Sequence, residues 1–364
     1  MVEETMCNCR IDIMLKKVKT GLTIFLVLLF WVINPLKTWA DSESDKKINK
    51  TKSSFLRAED TDAIRSFERF QVELYGGIIF LNPSDLNLFV SHDNRMQEFS
   101  YDSYFDYLVA TDQIESWTKN QGEERKEIRR SYPIGGRLKY YLSETIALSL
   151  GFKYMSSAHT MDLDFQYFRN ELSDERYNES IGYSPYSLTA NAYIPTLGFH
   201  ILKKMRNSLV LEGFVCGGPM FADCRYLSDW SYEWVTEGPD YRYIAYSSTG
   251  VLEEEGSGTG IALDLGGRLS YPIIKRFEIF LEASYAYQVV KSISGSGREE
   301  RNGRSATWDG QWRIKSETVA AAWGELETEF PTSYWPDNSE EDRLRDFELD
   351  LSGFQLRFGL SFRF

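Results

Sequence analysis

Beyond residue 69 the chain alternates between apolar and polar positions, with turn-rich stretches between the alternating runs. Consecutive strand residues face opposite sides of a sheet, so a period of two predicts strands with one apolar face. Phe70, Val72, Leu74, Gly76, Ile78 and Phe80 form the first row. Ile134 to Leu142 and Ile146 to Tyr154 form the next two, joined by a tight turn at Ser143-Glu144. A second hairpin runs from Tyr186 to Ile201, turns through Lys203–Asn207 and returns from Leu209 to Gly217. Its first strand changes apolar parity between Leu188-Ala190-Ala192 and Leu197-Phe199-Ile201. Pro195 lies between them and lacks an N–H, so a bulge is expected there. The third hairpin pairs Ile261–Tyr271 with Phe277–Tyr287, and Phe354–Phe364 closes the chain in strict alternation.

Eight strands follow from this count. Three connections are short (142–146, 202–208 and 271–277), and four are long (82–130, 157–184, 219–260 and 289–352). Strands of about 9–11 residues with short turns on one side and long loops on the other describe an all-β, antiparallel transmembrane β-barrel. The count rises to ten or twelve if segment 82–130 or 289–352 holds another hairpin.

The N-terminus adds export. Lys16, Lys17 and Lys19 precede an uncharged run from Gly21 to Ile33, and Thr38-Trp39-Ala40 supplies small residues at a cleavage site. This is the layout of a signal peptide over residues 1–40, the run being short for a membrane helix of about 20 residues. A polar periplasmic leader over 41–69, largely disordered, and a barrel over 70–364 complete the expected organisation. Removing 1–40 takes away five basic and three acidic residues, so the charge of −13 becomes −13 − (5 − 3) = −15. An acidic chain of this kind repels nucleic acid.

The closing segment Gly353–Phe364, with Phe354, Leu356, Phe358, Leu360, Phe362 and Phe364 in alternation, resembles the last strand of bacterial outer-membrane β-barrels. Together with the hairpin layout, region 70–364 is similar to the small barrels of the OmpA-transmembrane and OmpX type. The resemblance implies an outer-membrane location, contact with outer-membrane lipid, and recognition of that last strand by the barrel-assembly machinery. A weaker resemblance is to the omptin proteases, carried by Asp162-Leu163-Asp164 after the third strand. It implies that Asp162 and Asp164 would position or activate a water. An omptin also needs a His on the far wall and ten strands, and no His follows His200. A base without its oriented partner does little chemistry, so the chain is expected to be non-catalytic.

If the apolar rows face lipid, the alternate positions face the lumen. They carry Glu73, Glu212, Asp264, Glu278 and Glu282 against Arg137, Lys139, Lys153, Arg268, Arg357 and Arg363. An eight-stranded interior is just wide enough for side chains, and buried charges must be paired, so an ion-paired plug is expected rather than an open pore. The alternative is a small porin with more strands. Cys216 and Cys224 form a candidate disulfide only if Gly217-Gly218-Pro219 folds the chain back. Gly256-Ser-Gly-Thr-Gly260 lacks the Lys of a phosphate loop, and no cofactor or metal is called for. Tryptophans in the long segments suit an extracellular ligand or packing among the loops.

Overall fold

The computed structural model describes residues 69–82, 84–114, 116–121, 126–161, 165–171, 177–205, 208–238, 240–274, 276–322, 324–332 and 344–364. The expected signal peptide, the leader up to residue 68, and Asp162 and Asp164 lie outside these.

Seventeen strands occur among the described residues. They are β1 (Phe70–Leu81), β2 (Ser116–Gln121), β3 (Arg130–Tyr141), β4 (Ile146–Met161), β5 (Phe165–Glu171), β6 (Tyr177–Tyr183), β7 (Tyr186–Lys204) and β8 (Val210–Gly238). There follow β9 (Tyr241–Ile274), β10 (Phe277–Val290), β11 (Ile293–Arg301), β12 (Arg304–Gln311), β13 (Arg313–Ala321), β14 (Gly324–Thr332), β15 (Leu344–Asp346), β16 (Leu349–Asp350) and β17 (Gly353–Arg363). A helical stretch separates β1 from β2, with helices α1 (Leu88–Gln97) and α2 (Tyr104–Ala110).

Antiparallel pairing runs β1-β3-β4-β7-β8-β9-β10-β17 and returns to β1, a ring of eight strands. The eight are those that the alternation picks out. The chain's end is hydrogen-bonded to the ring's start, Phe364 N–H donating to Phe70 O at 2.8 Å and Phe70 N–H to Phe364 O at 3.2 Å. Short turns at 142–145 and 205–209 join ring neighbours on one side. In the first, Ser143 Oγ accepts from Ile146 N–H at 3.1 Å, which closes the turn without a glycine.

Three expectations change. The long segments do hold more strands, but these build outward from the ring instead of widening it. β8 and β9 continue past the ring and carry the same sheet outward in the order β12-β11-β9-β8-β6-β5-β2, and β14-β13-β15 forms a separate small sheet. The bulge at Pro195 is absent, because the β7–β8 register is the same on both sides of it: Tyr193 faces Phe221 and Leu197 faces Gly217. The parity never changes. Leu188, Ala190, Ala192 and Ile194 are buried and point inward, while Leu197, Phe199 and Ile201 point outward, so the strand passes from an apolar interior to an apolar exterior. Finally, Cys216 and Cys224 stand as free, buried thiols on one uninterrupted strand. Eight positions at about 3.3 Å each place them roughly 26 Å apart, beyond the ~7 Å reach of a bridge.

Candidate functional site

The interior of the ring has three layers. At the short-turn end Gln71 is fully buried, its Nε2 donating to Ser361 Oγ at 2.7 Å and Glu278 Oε2 at 3.0 Å, while its Oε1 accepts from Tyr141 OH. Arg363 pairs with Glu278 at 3.0 Å, and Tyr141, Ala147 and Leu202 form a small apolar floor.

The middle layer holds the charges. Register places Glu212, Arg268, Glu282 and Arg357 side by side on β8, β9, β10 and β17, alternating in sign, and sets Glu73 beside Arg137 on β1 and β3. Bonds then cross the lumen. Lys139 reaches Glu73 at 2.9 Å and Glu212 at 2.5 Å, Arg137 bonds Glu73 at 3.0 Å and Glu282, and Arg268 bonds Glu73. Just above, Asp264 accepts from Lys153 at 2.9 Å and Arg357 at 3.3 Å, and Arg357 also bonds Glu282. The structure therefore brings all eleven charged residues named from the sequence into pairs.

Excluding the Arg363–Glu278 pair, five cations face four carboxylates, an excess of 5 − 4 = 1 positive charge. Aromatic faces offset it. Tyr75 lies 5.0 Å from both Arg137 and Arg357, and Phe280 stacks 3.6 Å from Arg268. A guanidinium over a desolvated ring is stabilised by about 2 kcal/mol. Glycines make the room: a Cβ at Gly135 would sit 2.6 Å from the Tyr75 hydroxyl, and one at Gly151 would sit 2.7 Å from Arg137 Cγ.

Parity alone marks Gln71, Tyr75, Phe214 and Phe280 as inward, but an aromatic residue in a membrane barrel is readily assigned to lipid. His200 was equally hidden. It hydrogen-bonds Glu212 through Nδ1 and Ser149 through Nε2, both at 2.7 Å.

The third layer is apolar. Inward-facing Ile79, Met155, Leu188, Ala192, Ile194, Met220 and Ala286 meet Leu86, Phe89 and Val90 from the helical stretch, and Trp312 and Phe347 close over them. Leu86, Phe89 and Val90 recur at helical spacing, so one face of this stretch is buried. Its start is fixed by Ser84 Oγ, which accepts from Leu86 N–H at 3.2 Å. Asn87 clamps it to the wall, donating to Ile128 O at 3.1 Å and accepting from Ile128 N–H at 2.9 Å. Phe89 stacks on Tyr226 at 4.6 Å and meets Trp312 edge-on at 5.4 Å. Of the tryptophans in the long segments, Trp312 thus packs inside, fully buried. Cys224 belongs to this layer, where burial pushes its thiol pKa well up.

The outside of the ring is the reverse. Leu74, Ile134, Leu150, Leu197, Leu211, Leu265, Leu281 and Phe358, one on each ring strand, are between 40% and 70% exposed. Phe70, Tyr140, Phe364 and Phe362 cluster at the short-turn edge. Tyr132, Tyr285, Tyr287 and Phe354 lie exposed at the other. Phe70 and Phe80 bound β1, ten residues or about 33 Å along the strand, which is about 23 Å along the axis at a 45° tilt.

No family model and no curated protein matches this chain. Among solved structures it is similar to CarO of Acinetobacter baumannii, at 12% identity over 68% of this chain and 95% of that one, with a TM-score of 0.23. It is also similar to the translocator domain of the autotransporter NalP of Neisseria meningitidis, at 9% identity over 90% and 98%, with a TM-score of 0.15. Likeness at these scores carries no weight for what this chain does.

Proposed function

We propose that this chain is an outer-membrane β-barrel whose lumen is sealed, serving as a membrane anchor for the sheets built above it and not as a pore or an enzyme. The observation that carries the reading is the inversion of polarity across the ring wall, with ion pairs inside and a continuous apolar surface outside. Apolar surface left in water costs about 25 cal/mol per Å², and soluble monomers rarely expose contiguous patches beyond a few hundred Å². A belt about 25 Å tall, edged by aromatic residues, matches the hydrocarbon band of the outer membrane.

The partners on this reading are outer-membrane lipid and the barrel-assembly machinery, which would meet the alternating strand ending in Phe364. The side opposite the short turns faces the cell exterior and carries β2, β5, β6, β11 and β12, where an extracellular ligand would bind. Two features argue against the small porin: the charges are paired across the lumen, and the apolar layer stacks on top of them. The omptin-like alternative rests on Asp162-Leu163-Asp164 and the hairpin from 131 to 156, and it lacks a His after His200. Purified protein in a planar bilayer is expected to produce no resolved single-channel steps at neutral pH. Stable steps of ohmic conductance from the unmodified chain would replace the sealed reading with the porin.

A further inference from the structure

We propose that the outer wall of the ring holds one anionic lipid of the outer leaflet, its chains in an apolar groove of about 860 Å³ and its headgroup phosphate on Arg130. The proposal rests on the reading that this wall meets lipid. The volume is in the range of small-molecule sites, roughly 300–1,000 Å³.

The groove follows from register. Ile134, Gly76, Phe358, Leu281 and Leu269 are successive partners on β3, β1, β17, β10 and β9, a row of outward positions at right angles to the strands. Leu74, Leu360, Ile279 and Tyr271 make the next outward row, and the two rows are the walls. Between them Tyr75, Phe280 and Ser270 turn their side chains inward and Gly359 has none, so the floor is backbone. Four strand-to-strand steps of about 4.8 Å make the groove roughly 19 Å long. Because barrel strands are tilted by about 45°, a row at right angles to them crosses the membrane obliquely. This one climbs from Leu269, five residues from the short-turn end of β9, to Ile134, four residues from the opposite end of β3. Gly76 widens the groove at that upper end, where an added Cβ would meet nothing closer than Pro133 O at 3.9 Å.

The headgroup follows from what stands above Ile134. Tyr132 is 61% exposed and marks the membrane interface, where amphipathic rings sit. Arg130 lies two residues further out on the same face of β3, exposed and with no ion pair among the described residues. Lys126 and Arg129 are also exposed and only Glu127 opposes them, so this stretch carries a net charge of 3 − 1 = +2. On the opposite side of the ring, Asp223, Glu253 and Glu255 share the outward face with Arg225, a net charge of 1 − 3 = −2. The rim therefore attracts an anion over β3 and repels one over β8 and β9, and the groove ends over β3. Arg276, at the short-turn end, already interacts within the chain. A guanidinium offers a phosphate several donors at once, and basic residues near a membrane surface draw anionic lipid. An amphiphile with an anionic head and apolar chains fits both parts of the site, whereas a soluble anion would leave the groove unfilled.

The test is native mass spectrometry of the full chain with dimyristoyl phosphatidylglycerol and dimyristoyl phosphatidylcholine, which share their chains and differ in net charge. One phosphatidylglycerol per chain is expected to stay bound, about tenfold more tightly than phosphatidylcholine. That preference would run against the chain's own charge of −13. Arg130→Gln should remove most of it, and Arg276→Gln should leave it in place. Gly76→Leu, which puts a side chain into open space, and Ile134→Trp, at an exposed position, should each release both lipids. Retention of neither lipid by the parent overturns the proposal, as does equal retention of the two. A preference that follows Arg276 and not Arg130, or binding indifferent to both groove substitutions, overturns it as well. Acyl-chain photolabelling separates this failure from that of the underlying reading: adducts at Ile279 and Leu281 without a retained lipid would strike the bound lipid alone, and a wall free of adducts would strike the reading beneath it.

Discussion

Glu282→Ala is expected to lower the unfolding free energy of the chain in lipid vesicles by about 3–5 kcal/mol, the cost of leaving a buried charge without its partner. Glu282 is fully buried and bonds both Arg137 and Arg357. Its removal takes one of two carboxylate partners from each of two guanidinium groups, Arg137 keeping Glu73 and Arg357 keeping Asp264, in a lumen that already holds one cation in excess. The control is Glu253→Ala, which breaks a pair with Arg225 on the outer sheet, where both side chains are part-exposed. A surface pair of that kind is worth at most about 1 kcal/mol. Because the loss comes from the unbalanced cations, adding Arg137→Met to Glu282→Ala should restore part of the stability instead of adding a second penalty. Urea titrations of the three variants read this directly. Equal midpoints for Glu282→Ala and Glu253→Ala would mean that the lumen is wet and the pairs are screened.

Phe89→Ala should open the cap without opening the ring. Truncating a buried Phe costs about 3–5 kcal/mol, and Phe89 spends its contacts on Tyr226 and Trp312 within the apolar layer. A helix held by one buried stripe opens locally, so the cost is expected to appear as exposure of its neighbours. Cys224 reports it. Its thiol is buried in the same layer and kept protonated by that burial, so maleimide should not reach it in the parent. A loss of 3 kcal/mol in the cap raises its open population about a hundredfold, and labelling of Cys224 should rise in proportion. Cys216 is the internal reference. It lies in the ring between Gly198 and Asp264 and should stay unlabelled in both proteins. Labelling of both thiols alike would show that Phe89 holds the ring and not a separable cap.

The ring was legible because one rule, alternation, acts on every strand and sets charged residues on one face and apolar residues on the other. Glu73, Arg268 and Glu282 could be placed in the lumen from parity alone, and their pairing follows from sign and register. What parity does not carry is depth. Inside the ring the character changes from charged at Glu212 to apolar at Met220 and Ala222 on the same face of β8, and this change made Ala190 and Ala192 resemble outward residues displaced by a bulge. The cap has its own signal, Ser84 followed by Leu86, Phe89 and Val90, but a four-residue pattern of period 3.6 is weak inside a long connection. The outer hairpins were less hidden than they looked. Arg301-Asn302-Gly303-Arg304 turns β11 into β12 with positive φ at both central residues, 50° and 75°, the Asn-Gly hairpin signal in its usual place. The contact of His92 with Thr328 brings β14 back over a helix more than 200 positions earlier, which no local pattern encodes.

The inversion of polarity across the ring wall is tested most directly by lipid contact along β10. The chain is reconstituted with phospholipid carrying a photoreactive carbene precursor in its acyl chain, irradiated, digested and sequenced by mass spectrometry. Adducts are expected at Ile279, Leu281, Ala283 and Tyr285, the outward positions, and not at Phe280, Glu282 or Ser284, which are buried. Adducts spread over both parities, or confined to Phe280, Glu282 and Ser284, would contradict a ring that turns its charges inward and its apolar rows to lipid.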